Sequence, residues 1–143
     1  MGRYDIAIGK EPDATEPPLP TMKVFEEDGK INFVDVNNVF VGYNISQGCC
    51  EHADWFIADK IIECLPEDLA TMKCTNLDGY VFDKSFFREV TGSDFQDGKM
   101  VVFRLVNVFL GNRYLHLFNC HNGYYGHGFE MKVGDAVERE GVL

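Results

Sequence analysis

Two short segments of this 143-residue chain concentrate the side chains that could do chemistry: Gln47-Gly48-Cys49-Cys50-Glu51-His52 and Asn119-Cys120-His121-Asn122-Gly123-Tyr124-Tyr125-Gly126-His127-Gly128. Cys49 and His52, with Cys120, His121 or His127, offer the thiolates and imidazoles that zinc prefers. Their spacing argues against a metal. Adjacent cysteines rarely both reach one ion without backbone strain, and the chain has no Cys-x-x-Cys pair, so no metal or other cofactor is expected. A cysteine nucleophile is a second chemistry, with Cys49 or Cys120 as attacker and His52, His121 or His127 as base; spatial contact, not spacing, decides it. A vicinal Cys49-Cys50 pair can also act as a redox switch where it is exposed. Against these stands Cys50 as a small buried apolar residue. The run from Asn122 to Gly128 reads either as a recognition loop, with glycines allowing unusual backbone angles and tyrosines offering rigid contact area, or as a turn whose tyrosines close one end of the core. Gly126-His127-Gly128 is too short to be a nucleotide fingerprint.

These segments sit where a pattern of strands breaks. Lys23-Val24-Phe25 and Ile31 to Val34 flank Asp28-Gly29, a tight-hairpin dipeptide. Val39 to Ile45 is the next expected strand, with Val39, Val41 and Tyr43 on its more apolar side. Trp55, Ala58, Ile62 and Leu65 recur at three- and four-residue spacing, which predicts a helix over 53–64 capped by Asp54 and ended by Pro66, with a further short helical turn opening there. Short strands follow over 80–83 and 86–90. The clearest hairpin pairs Met100 to Phe109 with Arg113 to Cys120 around Gly111-Asn112, and apolar residues on both faces of its first strand place it under cover on both sides. Phe129 to Val133 is the last expected strand, and Glu138-Arg139-Glu140-Gly141 reads as a solvated tail. His116 is expected to face solvent or pair locally, Trp55 to anchor the helix to the sheet, and Met72, Met100 and Met131 to fill core or strand ends.

The resulting expectation is an α+β fold. It has a mainly antiparallel sheet of about six strands, or that sheet curled towards a barrel, with one principal helix packed on it. Residues 1–21 form an N-terminal segment and proline-rich arm, with Tyr4 to Ile8 either a short strand or a leader; 22–133 form the β-rich domain, and 134–143 a tail.

Gln47, Cys49, Cys50 and Glu51 after one strand, and Asn122-Gly123-Tyr124-Tyr125 after a long apolar hairpin, resemble a domain-of-unknown-function family of small phage and bacterial proteins. That family carries Gln-Asp-Cys-Cys-Glu and Asn-Gly-Tyr-Tyr-Ser signatures. The likeness spans roughly Met22 to Val133, and departs from the pattern with Gly48 for Asp and Gly126 for Ser. It implies a shared fold, a shared binding site at Gln47, Cys49, Cys50, Glu51, Asn122, Gly123, Tyr124 and Tyr125, and a phage or prophage origin. It implies no activity.

Composition narrows the function classes. Apolar residues are 45% and charged residues 25%, which excludes a disordered chain. A net charge of -10 argues against a protein that grips a phosphate backbone directly; it suits a basic partner, or it simply keeps the protein soluble and apart from its copies. No run approaches the ~20 apolar residues of a spanning helix, so no membrane is expected. The opening residues lack a secretory pattern, and five cysteines cannot all pair within one chain, which together suggest the cytoplasm. The expected function is a small acidic non-enzymatic binding protein that engages a host or defence protein. The alternatives are a small-ligand domain with its pocket between Cys49-Cys50 and Asn122 to Tyr125, and a zinc- or cysteine-dependent enzyme.

Overall fold

The computed structural model describes residues 21–46, 51–73, 76–91, 98–121 and 126–143. Nine strands are described: β1 Lys23–Glu27, β2 Lys30–Val34, β3 Val39–Asn44, β4 Glu51–Ala58, β5 Val81–Thr91, β6 Lys99–Asn107, β7 Gly111–His121, β8 Gly128–Val133 and β9 Ala136–Val142. They form two antiparallel sheets, one in the order β1-β2-β3-β8-β9 and the other β4-β7-β6-β5. Local chemistry sets the first hairpin. Asp28 and Gly29 both take positive φ, 54° and 77°, the twist that matches two flanking strands.

The sheets bury their facing sides against each other. Ile31, Phe33, Val41 and Tyr43 from one meet Trp55, Val101, Phe103, Leu105, Leu115 and Leu117 from the other. Phe33 and Trp55 pack edge to face at 5.1 Å, and the buried Tyr43 hydroxyl donates to the Phe118 carbonyl across the layers at 2.7 Å. A second, smaller core covers the outer side of the four-stranded sheet. There Phe56, Met100, Val102 and Phe118 lie under Ile61, Ile62, Leu69 and Met72 of the connection after β4. β6 is therefore covered on both faces, as its sequence suggests.

The α+β expectation is overturned: 64% of the described residues are strand and 3% helical, and no principal helix packs on a sheet. The helix expected over 53–64 is instead strand β4 and an irregular segment. In β4, Ala53, Trp55 and Ile57 join the main core while Phe56 and Ala58 join the smaller one. A strand buried on both faces has apolar residues nearly everywhere, so a three- and four-residue spacing arises without helical geometry. Trp55 is thus a sheet-to-sheet contact. The short helical turn falls at Thr71–Lys73, not at Pro66. The barrel alternative is replaced by two separate sheets, and the count of about six strands by nine among the described residues.

Three smaller corrections follow from pairing. The strands expected over 80–83 and 86–90 are one strand, β5, with a bulge between Asp83 and Arg88. The Asp83 carboxylate braces it, accepting from Ser85 Oγ at 2.6 Å and from Arg104 Nε and Nη2 at 3.0 and 2.6 Å; these bonds hold its pKa down to about 2. Glu138 to Gly141 is no tail but part of β9, paired with β8. The β6–β7 turn centres on Val108 to Leu110, before Gly111. Met100 and Met131 fill the core as expected. Tyr4 to Ile8 and the proline-rich arm lie outside the described residues.

Tyr80 is 2% exposed, and its hydroxyl has no hydrogen-bond partner among the described residues. An unpaired buried hydroxyl keeps its desolvation cost without recompense. Tyr80→Phe is therefore expected to raise stability by about 1 kcal/mol, read as a higher urea midpoint at unchanged slope; a lower midpoint would show that the hydroxyl is bonded in solution.

Candidate functional site

The chain passes from the first sheet to the second between Asn44 and Glu51, and back between His121 and Gly128. Both passages lie at the same end of the sandwich, because β3 pairs with β8 and β4 with β7, and Glu51 is the register partner of His121. Of the site residues read from sequence, Gln47, Cys49, Cys50, Asn122, Gly123, Tyr124 and Tyr125 lie outside the described residues. Glu51 begins β4. The flanks of the two segments are thus brought together, a juxtaposition that sequence spacing alone does not supply.

The described part of this end is tightly bonded. His127, 3% exposed, donates Nδ1–H to the Asn44 carbonyl at 2.8 Å, and its ring lies 6.3 Å from that of Tyr43. The His127 and Leu143 main chains exchange two hydrogen bonds, N to O, at 3.0 and 2.9 Å. The buried Asn119 amide donates to the Leu143 carbonyl at 3.2 Å. Partners of this kind fix the backbone on either side of a loop, so the anchors stay put whatever the loop binds.

The metal and nucleophile readings gain nothing here. Among the described residues no three His, Cys, Asp or Glu side chains are grouped to hold an ion. Cys120 is the register partner of His52, yet burial pushes its thiol pKa up, away from the thiolate that attack requires. The His52 side chain is about half exposed and packs edge-on against Phe118, with Asp54 Oδ2 at 3.8 Å from Nε2. Asp54 pairs with Lys73 at 2.6 Å. These are packing and surface contacts.

His116 pairs locally, one of its two expected roles, but it is fully buried and does not face solvent. It stacks on Phe56 at 4.1 Å, donates Nδ1–H to the Tyr114 carbonyl at 3.0 Å, and accepts at Nε2 from the Ile62 amide at 3.0 Å. A ring that must accept at one nitrogen is neutral, and burial pushes its pKa down to about 4. Its task is to hold the connection over the smaller core.

The feature that sequence reasoning missed lies at the opposite end. The β6–β7 turn presents Val108, Phe109 and Leu110 at 92%, 91% and 64% exposure. This turn is braced. Asn107 Oδ1 accepts from the Phe109 and Leu110 amides at 2.9 and 3.1 Å, and Asn107 Nδ2 donates to the Asp78 carbonyl at 3.2 Å. Gly79, at φ 78°, lets that approach happen, since a Cβ there would stand 2.8 Å from Asn107 Nδ2. Three adjacent large apolar side chains are thus displayed on a fixed backbone. Apolar residues standing singly on a surface need no explanation, but a contiguous exposed group marks contact with something else.

No helix among the described residues is long and apolar enough to cross a membrane. No family model matches this chain, and no curated protein or solved structure matches it either.

Proposed function

We propose that this chain is a non-enzymatic protein-binding β-sandwich, and the observation that carries the reading is the braced apolar tip Val108-Phe109-Leu110. Exposing such a group costs solubility, and binding energy concentrates in aromatic and aliphatic anchors that enter a partner's pocket. A backbone already fixed by Asn107 spares the ordering entropy that a loose loop would lose on docking. The tip is convex, so its receptor is concave. A tip-to-tip pair of copies would bury only three side chains a side, well below the roughly 800 Å² per partner of a stable interface. The net charge of -10 supports a partner with a basic rim around an apolar cleft. With the phage or prophage origin that the two motifs imply, it also supports a host or defence protein in the cytoplasm as that partner.

The test compares wild type with Phe109→Ser as baits in an extract of the organism that encodes the chain. Because Phe109 is 91% exposed, the substitution is expected to leave the melting temperature unchanged while weakening capture of the specific partner by roughly tenfold or more. Equal capture by both baits would remove the tip from the account. Raising salt is expected to weaken capture further, and indifference to salt would exclude the basic rim.

A second reading, a small-ligand pocket at the crossover end, is favoured by the register pair Glu51 and His121, which sets the flanks of the two motif segments side by side. A ligand screen read by amide chemical shifts separates the two. Shifts at Asn44, Asn119 and His127 with none at Phe109 would favour the pocket.

A further inference from the structure

The outer face of the four-stranded sheet is covered by residues 59–73, a segment with little of its own to hold it there. None of these residues lies in a strand and none is fully buried. Ile61, Ile62, Leu69 and Met72 are half-buried, yet beneath them Phe56, Met100, Val102 and Phe118 are at most 1% exposed. The bonds of the short helical turn, from Met72 N to the Leu69 carbonyl and from Lys73 N to the Ala70 carbonyl, stay within the segment. So does the bond from Thr71 Oγ1 to Asp68. Ion pairs reach the sheet, Lys73 with Asp54 and Glu63 with Arg88, but their partners are partly exposed, where such pairs contribute little. The main chain is held at Ile62, whose amide donates to His116 Nε2 at 3.0 Å. An apolar cover with few buried contacts and mostly local bonds belongs to the low-stability end of a fold.

We propose that residues 59–73 form a strap that opens as a unit while both sheets stay paired, with the Ile62 bond to His116 as its latch and protonation of His116 as its release. The two ring nitrogens have fixed roles. Nδ1 must carry its proton to donate to the Tyr114 carbonyl, so Nε2 must keep a lone pair to accept from Ile62. A proton added at Nε2 sets two donors against each other and leaves a charge beneath an apolar cover. The sheet has its own support. Its ladders run through β4, β7, β6 and β5 and its inner face is packed into the main core, so lifting the strap removes neither. Opening hydrates the ring and returns its pKa to the ordinary 6.5 from the value of about 4 that burial imposes. Between those values the open form binds a proton that the closed form does not, so opening is favoured as pH falls.

Other ionisable groups share this face. Register puts Arg88 in the row of Phe56, His116 and Val102, and Asp83, Arg104 and Tyr114 in the row of Ala58. Asp83 is bonded to Arg104 and has its pKa at about 2, below the window, while burial pushes the Cys120 thiol up, above it. Asp54 and Glu63 are engaged by Lys73 and Arg88, and the Tyr114 ring packs against Phe86. Asp59, Lys60, Glu67 and Asp68 of the strap are exposed. His52 is the other imidazole placed on this face among the described residues, half exposed against the edge of Phe118, and it serves as the control. The inference goes beyond the proposed role of the Phe109 tip and does not depend on it.

The experiment follows amide exchange of the full chain by NMR between about pH 7 and 5.5, expressed as protection factors so that the intrinsic pH dependence of exchange drops out. At pH 7 the Ile62, Met72 and Lys73 amides are expected to share one level of protection, roughly tenfold or more below that of the β6 and β7 amides, and to respond only weakly to low urea, as a local opening does. On moving to pH 5.5 that protection is expected to fall by roughly eightfold for all three, the change set by a pKa of 6.5 in the open form and about 4 in the closed one. His52→Gln replaces a half-exposed residue and is expected to keep the full response. His116→Phe is expected to lower strap protection at pH 7 and to abolish its pH dependence; if that variant does not fold, the wild-type and His52→Gln series decide. Strap amides protected as strongly as those of the sheet, three unrelated levels of protection in place of one, protection indifferent to pH, or a response lost in His52→Gln would each overturn the proposal.

Discussion

Asp35→Ala is expected to cost about 3–5 kcal/mol of folding stability, because two buried backbone donors and one partly buried donor would lose their acceptor together. Asp35 is 5% exposed in the turn between β2 and β3. Its Oδ1 accepts from the Asn37 and Val39 amides, both at 2.9 Å, and its Oδ2 accepts from the Phe82 amide of β5 at 2.9 Å. One carboxylate thus closes a turn in the first sheet and ties it to the second. Alanine leaves the Val39 and Phe82 donors, both buried, with neither partner nor water. Asparagine is expected to fall between, since its oxygen can still serve the turn while its amide group confronts the Phe82 N–H. Urea unfolding of the three proteins checks this, and a loss under about 1 kcal/mol for alanine would show that water replaces the carboxylate.

Acidification is expected to weaken the fold through His116, starting well above the range in which most carboxylates titrate. The folded state holds this ring neutral with a pKa near 4, below its ordinary 6.5. Between those values the unfolded chain binds the proton and the folded chain does not. Stability therefore rises with pH across this window: the contribution is complete above about 6.5, declines as pH falls, and is fully lost below about 4. The total is roughly 3 kcal/mol, the free energy linked to a shift of that size. Phe in place of His keeps the stack on Phe56 but cannot titrate. His116→Phe is expected to be less stable at pH 7, where the Ile62 amide loses its acceptor, and to show a flatter dependence between pH 6.5 and 4. Equal slopes for the two proteins would mean that the buried ring is not the titrating group.

Much of the fold was legible where the information is local. Asp28-Gly29 announces a hairpin because the dipeptide itself tolerates the two positive φ angles. The alternation of Val39, Val41 and Tyr43 survives because only one side of β3 is buried in the core. β4 was misread for the opposite reason: the covering segment 59–73 buries its second face, and that face is invisible until the chain is folded. The period-two marks were Ala53, Trp55 and Ile57. β9 was missed because Glu138, Arg139 and Glu140 carry the composition of a tail, whereas its strand character comes from pairing with β8. The two motif segments were found as breaks in the strand pattern, and the structure adds that their flanks meet. The tip was hidden in plain composition, since Val108-Phe109-Leu110 continues the apolar run of β6. Asn107 and Gly111 were the available signal. Asparagine readily caps a turn through its side chain, and Gly111 takes φ 85°.

The most direct test of the binding account places a photo-reactive phenylalanine analogue at Phe109 and, as a control, at Phe25, an exposed aromatic on β1. Both proteins are irradiated in an extract of the encoding organism, and the covalent products are identified by mass. One specific protein joined through position 109, absent from position 25, and diminished by an excess of unlabelled wild type but not of Phe109→Ser, is the expected result. The same products from both positions, or none from 109, would contradict the account and leave the apolar tip without a partner.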